Sequence, residues 1–134
     1  MRVMVLVKAC EQSEAGILPS PELLAEMGGF NNELIKAGVM LAGEGLKSSA
    51  NGVRVKFGDK KSVIEGPFAE AKELVAGFWL WKVPSLEEAI AWLKRAPFGG
   101  DAEVEIRPLF EPEDFGCGVE HERQQRQELS KASA

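Results

Sequence analysis

An α+β fold, with an antiparallel sheet and two helices on one of its faces, is predicted by three features of the 134-residue chain. The hydrophobic periodicities run in the order strand, helix, strand, hairpin, strand, helix, strand. Two of the strands, residues 1–8 and 74–83, are apolar on both faces, the pattern of strands in the middle of a covered sheet. Two segments before residue 110 combine a helical apolar stripe with a start signal. Together these describe a ferredoxin-like arrangement, in which the first and third principal strands are central.

Residues 1–8 (MRVMVLVK) set Val3, Val5 and Val7 on one face and Met4 and Leu6 on the other. Residues 9–19 are polar and read as a loop. Ser20-Pro21-Glu22 opens a helix with an N-cap serine, proline at the first helical position and an early acid. Leu23, Met27, Phe30 and Leu34 follow on one face, and Gly38 is the natural stop. Residues 39–46 form a strand interrupted by Gly43 and Gly45. Val53, Val55 and Phe57 alternate through residues 52–58, a turn follows at Asp59-Lys60-Lys61, and residues 62–65 return, so this is a hairpin. A loop with a Gly66-Pro67 break feeds the apolar strand 74–83. Ser85 and Glu88 make a capping box, after which Leu86, Ala89, Ile90 and Leu93 line a helical face until Pro97. In residues 102–109, Val104 and Ile106 point inward, opposite Glu103, Glu105 and Arg107.

Two helices cover only one face of such a sheet. The other would expose Met4 and Leu6 together with either Phe78 and Leu80 or Trp79 and Trp81. Burying four such side chains is worth roughly 6–12 kcal/mol at ~1.5–3 each. A second copy of the sheet is the simplest cover, which predicts a homodimer closing a dimeric α+β barrel. Composition shifts from Glu111 onward. Residues 120–131 (EHERQQRQELSK) have almost nothing to bury, so a domain of residues 1–116 is followed by a polar C-terminal helix or tail, 117–134.

The net charge of −5 and pI near 5.0 leave no basic surface for a run of phosphates, so nucleic acid is not an expected partner. No apolar run approaches the ~18 residues of a membrane span and no signal segment opens the chain, so a cytoplasmic protein without membrane attachment is expected. Cys10 and Cys117 make neither a disulfide framework nor a metal motif. No metal or cofactor is expected, for want of a Cys/His cluster, a phosphate loop or a dinucleotide fingerprint. Cys10 has no nearby base and reads as a buried or bystander thiol. His121, the one histidine, lies in the polar tail, and Trp79, Trp81 and Trp92 read as core.

Residues 65–73 (EGPFAEAKE) followed by Ala76-Gly77-Phe78 resemble the signature of DGPF-domain proteins in the YCII-related superfamily. Ala42-Gly43-Glu44-Gly45-Leu46, Val83-Pro84-Ser85, Ile106-Arg107-Pro108 and Glu113-Asp114-Phe115-Gly116 are similar to it as well, in order across roughly residues 1–116. The resemblance implies a dimeric α+β barrel that acts as an enzyme or binds a ligand. Some relatives stand beside or fused to alternative sigma factors, which implies an alternative role as a protein-interaction or regulatory module linked to transcription. Two departures limit what carries over. Glu65 stands where the motif has aspartate, and the His–Asp pair of the YCII branch has no counterpart here, His121 being outside the motif.

The leading functional expectation is a small organic molecule held in a barrel cleft, with cofactor-free acid–base chemistry by carboxylates as its enzymatic form. Glu44, set between two glycines, and Glu65 and Glu70, in the loop before the central strand, are the candidate catalytic acids. Sharing a cleft would raise one carboxyl's pKa and leave an acid–base pair. Phe68, Lys72 and Glu73 are the candidate ligand-binding residues, Lys72 also being placed to neutralise a carboxylate. A plainly structural role, as turn caps and surface ion pairs, stands beside this. So does a protein partner engaged through residues 117–134.

Overall fold

The computed structural model describes residues 1–116 and 119–133, so the reading of Cys117 lies outside the described residues. The strands are β1 (Arg2–Lys8), β2 (Met40–Gly45), β3 (Val53–Lys56), β4 (Ser62–Glu65), β5 (Val75–Lys82) and β6 (Val104–Pro108). The helices are α1 (Glu11–Glu14), α2 (Pro21–Lys36), α3 (Leu86–Lys94) and α4 (Val119–Ser133). Four strands form one antiparallel sheet in the order β2-β5-β1-β6, while β3 and β4 pair separately as a two-stranded ribbon. The two strands that read as apolar on both faces, β1 and β5, are the central pair.

Register decides which residues share a face. Val3 lies opposite Trp81 and Val5 opposite Trp79, and these four are buried with Phe30 and Leu34 of α2 and Ala89 of α3. The Phe30 ring meets Trp79 edge-on at 5.9 Å and Trp81 at 6.4 Å between centroids, the tilted geometry that aromatic quadrupoles favour. Trp79 Nε1 donates to Asn31 Oδ1 at 2.9 Å, so α2 is tied to the sheet by a hydrogen bond as well as by packing. Gly43 makes room for this: a Cβ there would sit 2.7 Å from Trp79 Cδ1 and 2.8 Å from Met40 Cε.

The opposite face carries Met4 opposite Leu80 and Leu6 opposite Phe78, all four half-buried. The tryptophans therefore face the helices, and the phenylalanine–leucine pair faces outward. Lys8, Glu105 and Arg107 border this patch, with Lys8 and Arg107 within 3.4 and 3.6 Å of the Glu105 carboxylate.

The helix caps follow the sequence. Ser20 Oγ accepts from Leu23 N at 3.1 Å and Ser85 Oγ from Glu88 N at 3.3 Å. Gly38 takes φ +72° just after α2, where a left-handed residue ends the helix. Three details differ from the expectation. Residues 11–14, predicted as loop, make the single helical turn α1, because Ser13 Oγ accepts from Cys10 N at 2.9 Å and donates to Cys10 O at 3.0 Å. Cys10 is exposed rather than buried, and hydrogen bonding to its thiol from the Ser13 backbone and then the Ser13 side chain holds it below the usual cysteine range. In α3 the inward stripe is Ala89, Trp92 and Leu93, while Leu86 and Ile90 are 38% and 41% exposed. The small Ala89 side chain lets the helix sit close to the sheet, which turns its two neighbours outward.

Candidate functional site

The site is built from Gly66 upward. A Cβ on this residue would lie 1.7 Å from the Ser49 carbonyl oxygen, so nothing larger than glycine fits. Gly66 N donates to Gly52 O at 2.9 Å. These contacts press the segment after β4 onto the 3-10 turn Ser49–Asn51. Two residues on, Phe68 N donates to Ser49 Oγ at 3.0 Å.

The Ser49 hydroxyl in turn donates to Glu14 Oε2, and Ser49 N donates to Glu14 Oε1 at 2.9 Å. Glu14 comes from α1, so one serine links three segments far apart in sequence. Its hydroxyl and then its amide hold the Glu14 carboxyl below the ordinary glutamate range, burial opposing them weakly. The acid is kept as a carboxylate with acceptor capacity left over. Across the same turn the Arg54 guanidinium, from β3, lies over the Phe68 ring, its Cζ 3.8 Å from the ring centroid, within cation–π range.

Around these groups opens a cleft of about 520 Å³, lined by Glu14, Leu46, Ser49, Arg54, Phe68 and Leu74 among others. It combines a fixed carboxylate, a guanidinium and an aliphatic wall. Mixed lining of this kind suits a small organic molecule.

Of the six residues expected from sequence, Glu44, Glu65, Glu70, Lys72 and Glu73 lie outside the lining of this cleft and one lies in it. Phe68 lines the cleft. Glu65 ends β4 opposite Val53, exposed. Glu70 is exposed with φ +63°, and its carbonyl accepts from Glu73 N at 2.8 Å. Lys72 and Glu73 are exposed on the 3-10 turn Ala71–Glu73 that leads into β5. Glu44 is exposed and opposite Phe78, on the outward face of the main sheet. Among the described residues, no hydrogen bond or ion pair joins the side chains of Glu44, Glu65 and Glu70 to one another or to Lys72.

Glu14, Ser49 and Arg54 went unread in the sequence. No local motif holds them: they lie on a loop helix, a polar turn and a ribbon strand. The one available signal is Arg54 and Lys56 on one side of a β-ribbon whose other side carries Val53 and Val55.

A second open cleft, about 550 Å³, lies between α4 and the turn Pro112–Phe115. Its charges are satisfied within the chain. Arg2 makes a two-pronged contact with Glu111 at 2.9 and 3.1 Å, Arg123 meets Glu113 at 2.7 Å, and Arg126 meets Glu122 at 3.0 Å. This ion-pair set docks α4, and His121 is exposed on that helix. Among the described residues, no group of three or more His, Cys, Asp and Glu is arranged to hold a metal ion. No described helix is long and apolar enough to cross a membrane.

A family model described as YCII-related domain matches residues 1–113. No curated protein matches the chain.

Proposed function

From the premise that the chain belongs to the YCII-related family, we propose that it works as a homodimer that binds a small organic molecule in the cleft between α1, β3 and the Gly66–Phe68 loop. One observation carries the binding reading: the loop is locked by Gly66 and Ser49 into a shape that leaves the Glu14 carboxylate and the Arg54 guanidinium on the wall of one open cleft. A loop that served only to turn the chain would not need a carboxylate held by two hydrogen bonds beside a guanidinium seated over an aromatic ring.

The dimer rests on the outward face of the sheet. Met4, Leu6, Phe78 and Leu80 form a contiguous apolar patch there, and a second copy covers it. In this reading the order β2-β5-β1-β6 is that of a ferredoxin-like unit, and two sheets face to face close a dimeric α+β barrel. Cofactor-free proton transfer is the enzymatic form of the proposal, with Glu65 and Glu70, beside the cleft-forming loop in sequence, as the acids to substitute. Unchanged binding with lost turnover in E65Q or E70Q is its mark.

Native mass spectrometry of the protein purified gently from its own cell extract tests both parts. A dimer carrying a reproducible small-molecule adduct is expected. A monomer overturns the two-sheet arrangement, and a bare dimer whose cleft resonances ignore small-molecule probes overturns the binding reading.

A second reading, a protein partner engaged through residues 117–134, draws on α4. It is tethered by Arg123–Glu113 and by Arg126 to Phe110 O at 3.4 Å, yet most of its length is exposed. Deleting residues 117–134 abolishes partner capture in that reading and leaves small-molecule binding untouched.

A further inference from the structure

The arginines show a pattern that the binding reading does not use. Arg2, Arg95, Arg107, Arg123 and Arg126 each pair with a carboxylate of the chain, at 2.9, 2.5, 3.6, 2.7 and 3.0 Å. Arg54 does not. Among the described residues its guanidinium makes neither an ion pair nor a hydrogen bond, and its one recorded contact is the Phe68 ring beneath it. The chain is rich in acids, with 21 Asp and Glu against 16 Lys and Arg. Glu65, Glu70 and Glu73 lie in or beside the loop that carries Phe68. An arginine left unpaired in that setting has its donors free for a group that is not part of the chain.

We propose that the cleft selects an organic monocarboxylate with an apolar body, whose carboxylate is taken by Arg54. This rests on the small-molecule reading above and narrows it to a ligand class. The planar guanidinium offers parallel N–H donors that match a carboxylate in a two-pronged contact. Contact with the Phe68 ring restrains the side chain in advance, so less of its freedom is lost on binding. Leu46, Val53, Leu74 and Val75 give the wall on which an apolar body rests. Glu14 supplies selection. Held as a carboxylate by Ser49, it repels a second negative charge, so a dicarboxylate is disfavoured, and its unused lone pairs accept from a hydroxyl or amine on the ligand.

The test is an NMR titration of the isotope-labelled protein with phenylacetate, its neutral amide phenylacetamide and the dianion phenylsuccinate. Saturable shifts at Ser49, Gly52, Arg54 and Phe68 are expected with phenylacetate. The other two probes bind about tenfold more weakly or worse, a difference of about 1.4 kcal/mol. Arg54→Gln removes the preference for the acid, and Arg54→Lys, which keeps the charge and loses the fork, restores part of it. The spectrum of each variant, unshifted away from the cleft, shows that the fold is kept.

Equal shifts with phenylacetamide, unaltered in R54Q, overturn the monocarboxylate proposal and leave small-molecule binding standing. Silence of these resonances toward all three probes also overturns it. The adduct mass then decides the broader reading separately, because an adduct without an acidic group keeps the cleft and discards the acid.

Discussion

Gly66 is glycine for a steric reason that its own neighbours in sequence do not show. The obstacle is a backbone carbonyl 17 residues earlier, 1.7 Å from where a Cβ would stand, and a carbonyl in a turn cannot rotate away as a flexible side chain can. Gly66→Ala therefore separates the loop from the Ser49–Asn51 turn. A loss of roughly 3 kcal/mol in urea denaturation is expected, with the Ser49 and Phe68 amide resonances shifted. Ser49→Ala acts on the same junction through hydrogen bonds. Glu14 has a lower pKa folded than unfolded, so its bond to Ser49 contributes stability above the ordinary carboxylate pKa of ~4.3, lost as pH falls through the folded value. The stability gap between the wild type and S49A is expected to be widest near neutrality and to narrow in acid. A remnant persists from the lost Phe68 N to Ser49 Oγ bond, which does not titrate. Denaturation curves at several pH values check it, and a gap that widens in acid would contradict the assignment.

At the scale of elements, the sequence was most legible where a periodicity and a terminus signal agreed. Ser20-Pro21 and Ser85–Glu88 marked helix starts that the serine hydroxyls do cap. The doubly apolar strands proved to be the central pair of the sheet, β1 and β5. Burial within an element was less legible. Leu34 is fully buried while its neighbour Ile35 is 57% exposed, as the stripe in α2 requires, but in α3 the stripe rotated onto Ala89 and Trp92. Leu34→Ala is expected to cost about 2–5 kcal/mol by leaving a cavity among Phe30, Trp81 and Val3, and Ile35→Ala less than about 0.5. Comparable losses for the two in chemical denaturation would refute the packing described. The site was the least legible part. Phe68 sits in a recognisable run, but Glu14, Ser49 and Arg54 converge only because the Ser49 turn bonds both α1 and the loop after β4, whose Phe68 lies under Arg54. No local pattern encodes that convergence.

At the scale of the molecule, the outward face of the sheet sets the size of the proposed association. Met4, Leu6, Phe78 and Leu80 are already more than half buried, so covering them gains at most about a third of the transfer value of four such side chains, roughly 2–4 kcal/mol. Losing the independent motion of two proteins costs ~4–15 kcal/mol, so these four alone do not hold a dimer together. The interface has to extend to the polar border, where Glu105 sits between Lys8 and Arg107 and the Arg107 side chain is 72% exposed. A dimer built this way has an apolar centre and a charged rim, and it dissociates on dilution and weakens in salt. Leu6→Glu places a charge at the centre, opposite Phe78, where the second copy would have to desolvate it. Sedimentation velocity across a dilution series is expected to show a dimer for the wild type and a monomer for L6E. The near-ultraviolet signal of Trp79 and Trp81, on the helix-covered face, is expected to stay unchanged, showing that the fold survives. A wild type that sediments as a single copy at every concentration would remove the second sheet, while an L6E protein that remains dimeric would place the interface elsewhere on the surface.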